Sequence, residues 1–162
     1  MTLPIDAARA QSEDQVKAAF LFNFVRYVEW PEDVFEGKSS KVKICMLGAE
    51  SFGGVVSQIV SGKSVGDRKV KVESIDSLDS ANACHLLYLG EGAPVGLLGG
   101  MPELSEAPVF TVSDSEGFAE RGGMANFFRA DNKVRFEMNP GAAKKARLKI
   151  SSRLLRLAKV VK

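Results

Sequence analysis

The sequence predicts an α/β domain, with a mostly parallel open sheet, helices on both faces, an antiparallel hairpin near the end and a C-terminal helix. Three observations carry this. Short apolar runs alternate with helical or turn-like segments from residue 41 to about residue 120, as they do when strands are joined by crossovers. The run CHLLYLG is almost wholly apolar, which suits a strand covered on both faces. Finally, MANFFRA and KVRFEMN are separated only by Asp131-Asn132. Both residue types tolerate positive φ, so the pair predicts a tight hairpin.

The elements follow in order. The 162 residues suit one domain that buries its own core. Residues 1–12 are polar and small and are expected to be flexible. Within them, Ala8-Arg9-Ala10 followed by Gln11 has the A-x-A form of a processing site, although the charged and apolar regions that precede such a site are missing. This is either the remnant of an export signal or a coincidence of small residues. Residues 13–30 predict a helix, with Ser12 as N-cap, Glu13 and Asp14 in the first turn, and Val16, Ala19, Phe20, Phe24, Tyr27 and Val28 at helical spacing. Trp30-Pro31 is its expected stop. So aromatic a helix is either core or a face for a partner, and Phe20, Phe24, Tyr27 and Trp30 are the candidate partner-binding residues.

Residues 41–48 predict a strand, 51–62 a helix and 69–75 a strand, and SLDSA a short helical piece. Residues 84–90 form the next strand, 95–104 a glycine-interrupted helix, 108–114 a strand, and EGFAERG one helical turn. After the hairpin, 140–148 and 150–161 predict a helical C-terminus. Pro140 would sit in its first turn, and Leu148, Leu154, Leu155, Ala158 and Val161 would form an apolar stripe.

Catalytic motifs fare poorly. Gly48 and Gly53 have the spacing of a phosphate loop, but Gly54-Val55 stands where Lys-Ser/Thr would hold phosphate and magnesium. The lone histidine, His85, opens one strand while Ser113 closes another. In parallel strands, four residues at about 3.3 Å separate them by roughly 13 Å, too far for a base and its nucleophile. One histidine and a short-strand cysteine do not make a zinc site, so no metal and no cofactor is expected. Ser113, Asp114, Arg121, Gly122 and Gly123, with Glu50, Ser51 and Gly90, would line the carboxyl ends of the strands. Open parallel sheets bind ligands there, and these residues are the candidate small-molecule site. The plainer reading of the glycines is a turn entering the hairpin.

Between residues 144 and 162 lie eight Lys or Arg and no acid. Without interleaved aromatics this is a solvated helix face rather than a nucleic-acid surface. No apolar run approaches the about 18 residues of a membrane span. Cys45 and Cys84 read either as buried free thiols or as one disulfide formed in an oxidising compartment.

The stretches VKAAFLFNFVRYVEWP, HLLYLG, PVFTVSDSEGF and RGGMANFFRADNKVRFEMNPGAAKKARLKISSRLLRLA resemble the YfiR-like family, in order from about residue 15 to the end. The last block is the most specific. The resemblance implies a periplasmic, non-enzymatic inhibitor that binds the periplasmic sensor region of a membrane diguanylate cyclase and so controls cyclic-di-GMP. It also implies release by an OmpA-like outer-membrane lipoprotein, a homodimer, and a structural disulfide between Cys45 and Cys84. A second cysteine pair that some members carry before the hairpin has no counterpart here. Export favours the processing reading, so 1–12 becomes a flexible remnant and 13–162 one YfiR-like domain. Because some members are fused to sensor kinases, a ligand-binding sensor domain feeding a kinase or another envelope signalling system is the alternative function.

Overall fold

A computed structural model describes residues 5–35, 37, 40–91 and 107–161. Helix α1 spans Ile5–Tyr27. It buries Ala18, Leu21, Phe24 and Val25, a three- and four-residue spacing that puts one stripe against the sheet. Both expected ends move. The helix begins seven residues before Ser12, which lies inside it and caps nothing. It also stops at Tyr27, because Val28–Glu29 (β1) leave the helix to pair antiparallel with Lys149–Ile150 (β9). That ladder takes up backbone groups that another helical turn would have used internally. A 3-10 turn, Glu32–Val34, follows.

The main sheet is built from β2 (Val42–Leu47), β3 (Ser64–Val65), β4 (Arg68–Ile75), β5 (Leu86–Leu89), β6 (Phe110–Ser113), β7 (Ala125–Ala130), β8 (Lys133–Met138) and β10 (Lys159–Val160). Among the described residues its order is β10-β8-β7-β6-β5-β2-β4-β3. The block from β7 to β4 is parallel throughout, as expected. β7 and β8 form the antiparallel hairpin, with φ of 54° at Asp131 and 61° at Asn132, the left-handed pair that a two-residue loop requires. β3 is a short antiparallel addition at the far edge.

Helix α2 (Glu50–Val60) crosses from β2 to β4 and packs with α1 on one face of the sheet. That face carries Ile44, Met46, Leu86, Tyr88, Phe110, Val112, Phe127 and Phe136. The alternate residues Cys45, Leu47, Leu87 and Leu89 face the other side, under Ala81 of a 3-10 segment (Leu78–Ala83) and Phe118. The glycine-interrupted helix expected at 95–104 lies outside the described residues. The helical turn expected in EGFAERG is instead a series of non-helical turns.

The C-terminus departs most from expectation. Helix α3 (Pro140–Lys145) starts at Asn139, whose side chain accepts from Ala142 N–H. It ends in a Schellman cap in which Leu148 N–H returns to Ala143 C=O and Arg147 N–H to Lys144 C=O, with Arg147 at φ 64°. The chain then forms β9, the six-residue α4 (Ser152–Leu157) and β10. Leu148, Leu154, Leu155, Ala158 and Val161 therefore share no helical stripe. β10 pairs parallel to β8 and so extends the sheet beyond the hairpin.

Candidate functional site

At the carboxyl ends of the parallel strands, the segments that follow β2 and β5 meet closely. Gly90, just after β5, lies so near the chain after β2 that a Cβ there would strike the Gly48 carbonyl and the Ala49 side chain. Gly90 N–H donates to Leu47 C=O at 2.8 Å. Beside this contact the buried Tyr88 hydroxyl donates to Asp114 Oδ2 at 2.6 Å, and Lys17 Nζ from α1 reaches the same oxygen at 3.1 Å. Burial raises the Tyr88 pKa far above the phenol range, and Asp114 adds to the effect, so the phenol stays a donor. Burial also raises the Asp14 pKa; Lys17 opposes this shift and Asp114 reinforces it.

The other expected ligand residues serve the turn that enters the hairpin. Ser113 is buried; its hydroxyl donates to Leu89 C=O and accepts from Ser115 N–H. Arg121 donates to Glu116 C=O at 2.8 Å and to Ser115 Oγ at 3.2 Å. Gly122 takes φ 108°, and Gly123 lies against the Phe118 ring with no room for a Cβ. Asn126 accepts from Ala119 N–H and donates to Glu137. Glu50 and Ser51 are exposed on the first turn of α2. The structure thus brings Ser113, Asp114 and Arg121 to one end of the sheet, where Ser113 bonds to the backbone, Asp114 to the Tyr88 and Lys17 side chains, and Arg121 to its own turn. Tyr88 and Lys17 were not foreseen there. Tyr88 sits inside an apolar strand and reads as core.

The opposite, amino end of the strands is differently built. His85 Nδ1 accepts from Lys43 N–H at 2.9 Å. Burial holds its pKa below the ordinary histidine value, the Val34 backbone opposes that shift, and Lys43 and Arg68 reinforce it. Trp30 Nε1 donates to His85 C=O at 3.0 Å, Phe35 stacks on the imidazole at 4.7 Å, and Arg68 lies 3.8 Å from the Phe35 ring centre. Next to His85, Cys84 is bridged to Cys45, with 5.9 Å between the two Cα atoms. His85 is therefore a fixed structural element. Leu89 pairs with Ser113, so His85 lies four positions down the sheet from that serine, as the sequence predicted.

A cavity of about 380 Å³ opens at this end, with Lys41, Lys43, Lys71 and Asn82 on its wall beside Cys84 and His85. The lysines were not foreseen as a site, although the signal is in the sequence. KVKI at 41–44 and KVKV at 69–72 alternate identically, and in-register pairing sets Lys43 opposite Lys71.

Of the α1 aromatics, Phe24 is completely buried, with ring centres 5.0 Å from Phe136, 5.8 Å from Phe110 and 5.9 Å from Phe127. Phe20, Tyr27 and Trp30 are half-buried. Tyr27 and the half-buried Phe22 carry cations over their rings: Arg26 and Arg153 at Tyr27, Arg26 and Lys63 at Phe22.

This is an α/β domain of the open-sheet type, with a disulfide near its amino end and internally bonded polar side chains at its carboxyl end. The chain belongs to the YfiR/HmsC-like family, whose model matches residues 14–159. The family is regulatory and non-catalytic and works in the periplasm, where a disulfide is at home. No match is found among curated proteins. Among solved structures, the chain is similar to a conserved domain protein from Vibrio cholerae O1 biovar El Tor, at 10% identity and TM-score 0.59, covering 92% of this chain and 60% of that one. It is also similar to an ABC domain in complex with L-Trp from Streptococcus pneumoniae, at 9% identity and TM-score 0.47, covering 75% of this chain and 56% of that one. The first likeness supports the α/β fold. The chain spans less than two thirds of either structure's length.

Proposed function

We propose that this chain inhibits a membrane-bound diguanylate cyclase by binding the cyclase's periplasmic region, acting through contact and not through chemistry. Family membership over residues 14–159 carries the reading. It is supported by the way the polar groups that could do chemistry are used: His85, Ser113, Asp114 and Tyr88 are each held by internal hydrogen bonds. In this proposal an OmpA-like outer-membrane lipoprotein competes for the chain and releases the cyclase, and the chain acts as a homodimer. The half-buried aromatics Phe20, Tyr27 and Trp30 supply apolar contact area, with the buried Phe24 stacked beneath Phe20. The proposal can be tested by removing the chain from its host, which should raise cyclic-di-GMP, and by re-supplying an exported copy, which should lower it again. Unchanged cyclic-di-GMP in both strains would sink it. Sedimentation of the purified chain tests the dimer, and a monomer at micromolar concentration would count against it.

A further inference from the structure

We propose that the cavity at the amino ends of β2, β4 and β5 binds a small organic molecule with a multiply charged oxyanion head, phosphate or polycarboxylate. Lys41 and Lys43 stand at alternate positions leading into and along β2, so both project to one face. Lys71 of β4 lies directly opposite Lys43. Like charges opposed across a ladder destabilise a sheet, so the arrangement costs the apo protein stability. Among the described residues Glu73 answers it, through a 3.0 Å pair with Lys71. Three ammonium groups against one carboxylate leave positive charge at the mouth of a cavity, and an anion with more than one charge would neutralise it.

The frame is rigid. Lys43 N–H is tied to His85 Nδ1, and the Cys45–Cys84 bridge joins β2 to the segment just before β5. The lysine backbones are therefore held in place before any ligand arrives, which lowers the ordering cost of binding. Asn82 adds a neutral donor and acceptor at the wall, while Val34, Ala83 and Pro108 give an apolar side. A volume of about 380 Å³ falls in the range of about 300–1,000 Å³ typical of small-molecule pockets. The mixture of charge and apolar wall selects a head group with an organic body over a bare ion.

Calorimetric titration of the full chain at constant ionic strength tests the proposal, using inorganic phosphate, glycerol 3-phosphate and citrate as probes. Saturable binding is expected for at least one organic anion, about tenfold tighter than for inorganic phosphate. Preference for glycerol 3-phosphate identifies a phosphate head, and preference for citrate a carboxylate head. Lys43→Gln and Lys71→Gln should each weaken that binding about tenfold, the first at unchanged or higher melting temperature and the second with only the small loss expected from its exposed pair with Glu73. Lys145→Gln, on α3, should leave it intact. If Lys43→Gln lowers the melting temperature, Lys71→Gln on the exposed side of β4 decides. The proposal is overturned if no probe saturates, if all three bind equally, or if the folded lysine variants bind as tightly as the parent.

Discussion

The two ends of the parallel strands treat charge in opposite ways. At the carboxyl end, Asp114 is shared between the Tyr88 hydroxyl and Lys17, Arg121 is spent on carbonyl and hydroxyl oxygens of its own turn, and Gly90 lies close against Gly48. At the amino end, three lysines surround one glutamate above a rigid cavity. Open parallel sheets ordinarily keep ligands at the carboxyl end. Here Ser113, Asp114 and Arg121 are matched inside the fold, only the buried Glu137 Oε2 lacks a partner among the described residues there, and the surplus of like charge stands at the other end. Matched polar groups contribute to holding a fold together, whereas unmatched ones on a stiff frame are available to bind.

The stiffness of the amino end can be tested most forcefully through its staple. Replacing Cys45 and Cys84 together by alanine should cost about 2–4 kcal/mol, mainly by freeing the unfolded chain. Urea denaturation measures it. A loss under about 1 kcal/mol would mean that His85, Trp30 and Phe35 hold the amino end without the bridge.

Matching at the carboxyl end makes a smaller but sharper prediction. Asp114→Ala removes the acceptor of the buried Tyr88 hydroxyl and should cost about 1–3 kcal/mol. Adding Tyr88→Phe should recover most of that loss, since removing both partners leaves no buried donor unpaired. A strictly additive double variant would show that the two groups are not coupled.

Much of this was legible in the sequence. Alternating apolar runs predicted the parallel block, and Asp131-Asn132 predicted the hairpin, because two-residue loops admit few residue types. The strand-end placement of Ser113 and Asp114 followed from the same pattern. The C-terminus was not legible, because its helix stops on an arginine at positive φ where glycine is usual, and its apolar residues mimic a helical stripe. Helix α1 misled at both ends for a related reason. Ser12 looks like a cap but sits mid-helix, and β1 forms only because β9, some 120 residues later, is there to pair with it. Nor was the use of the polar groups readable. That Tyr88 would meet Asp114 and Lys17 depends on three elements converging, while the lysine cluster depends on strand register.

The histidine at the amino end carries a pH signature. Its pKa is lowered in the folded protein from an ordinary 6.5, so the unfolded chain binds the proton more readily. Stability from this group is full above about pH 6.5 and falls as pH drops towards the folded value. Glu73, lowered first by its hydrogen bond from Lys71, acts with the same sign but only below its ordinary 4.5. Melting temperature should therefore begin to fall near pH 6.5, and a His85→Gln variant, less stable at neutral pH, should lose that first part of the slope. An identical pH profile in the variant would assign the slope to other groups.

The smallest effect separates the two ends by sign. Lys17→Gln removes a cation that meets a carboxylate at 3.1 Å, with the lysine side chain 17% exposed. It should lower stability by a few tenths of a kcal/mol, up to about 1, as partly screened pairs do. Lys43→Gln removes a cation that faces Lys71 across the ladder and leaves the Lys71–Glu73 pair in place. Relief of that repulsion should raise stability by about 0.2–1 kcal/mol. Salt distinguishes the cases further. Screening weakens attraction and repulsion alike, so both differences should shrink towards zero as sodium chloride approaches molar concentration. Paired urea melts at low and high salt measure this. If both variants lose stability at low salt, the amino-end lysines are matched after all, and the contrast between the two ends disappears.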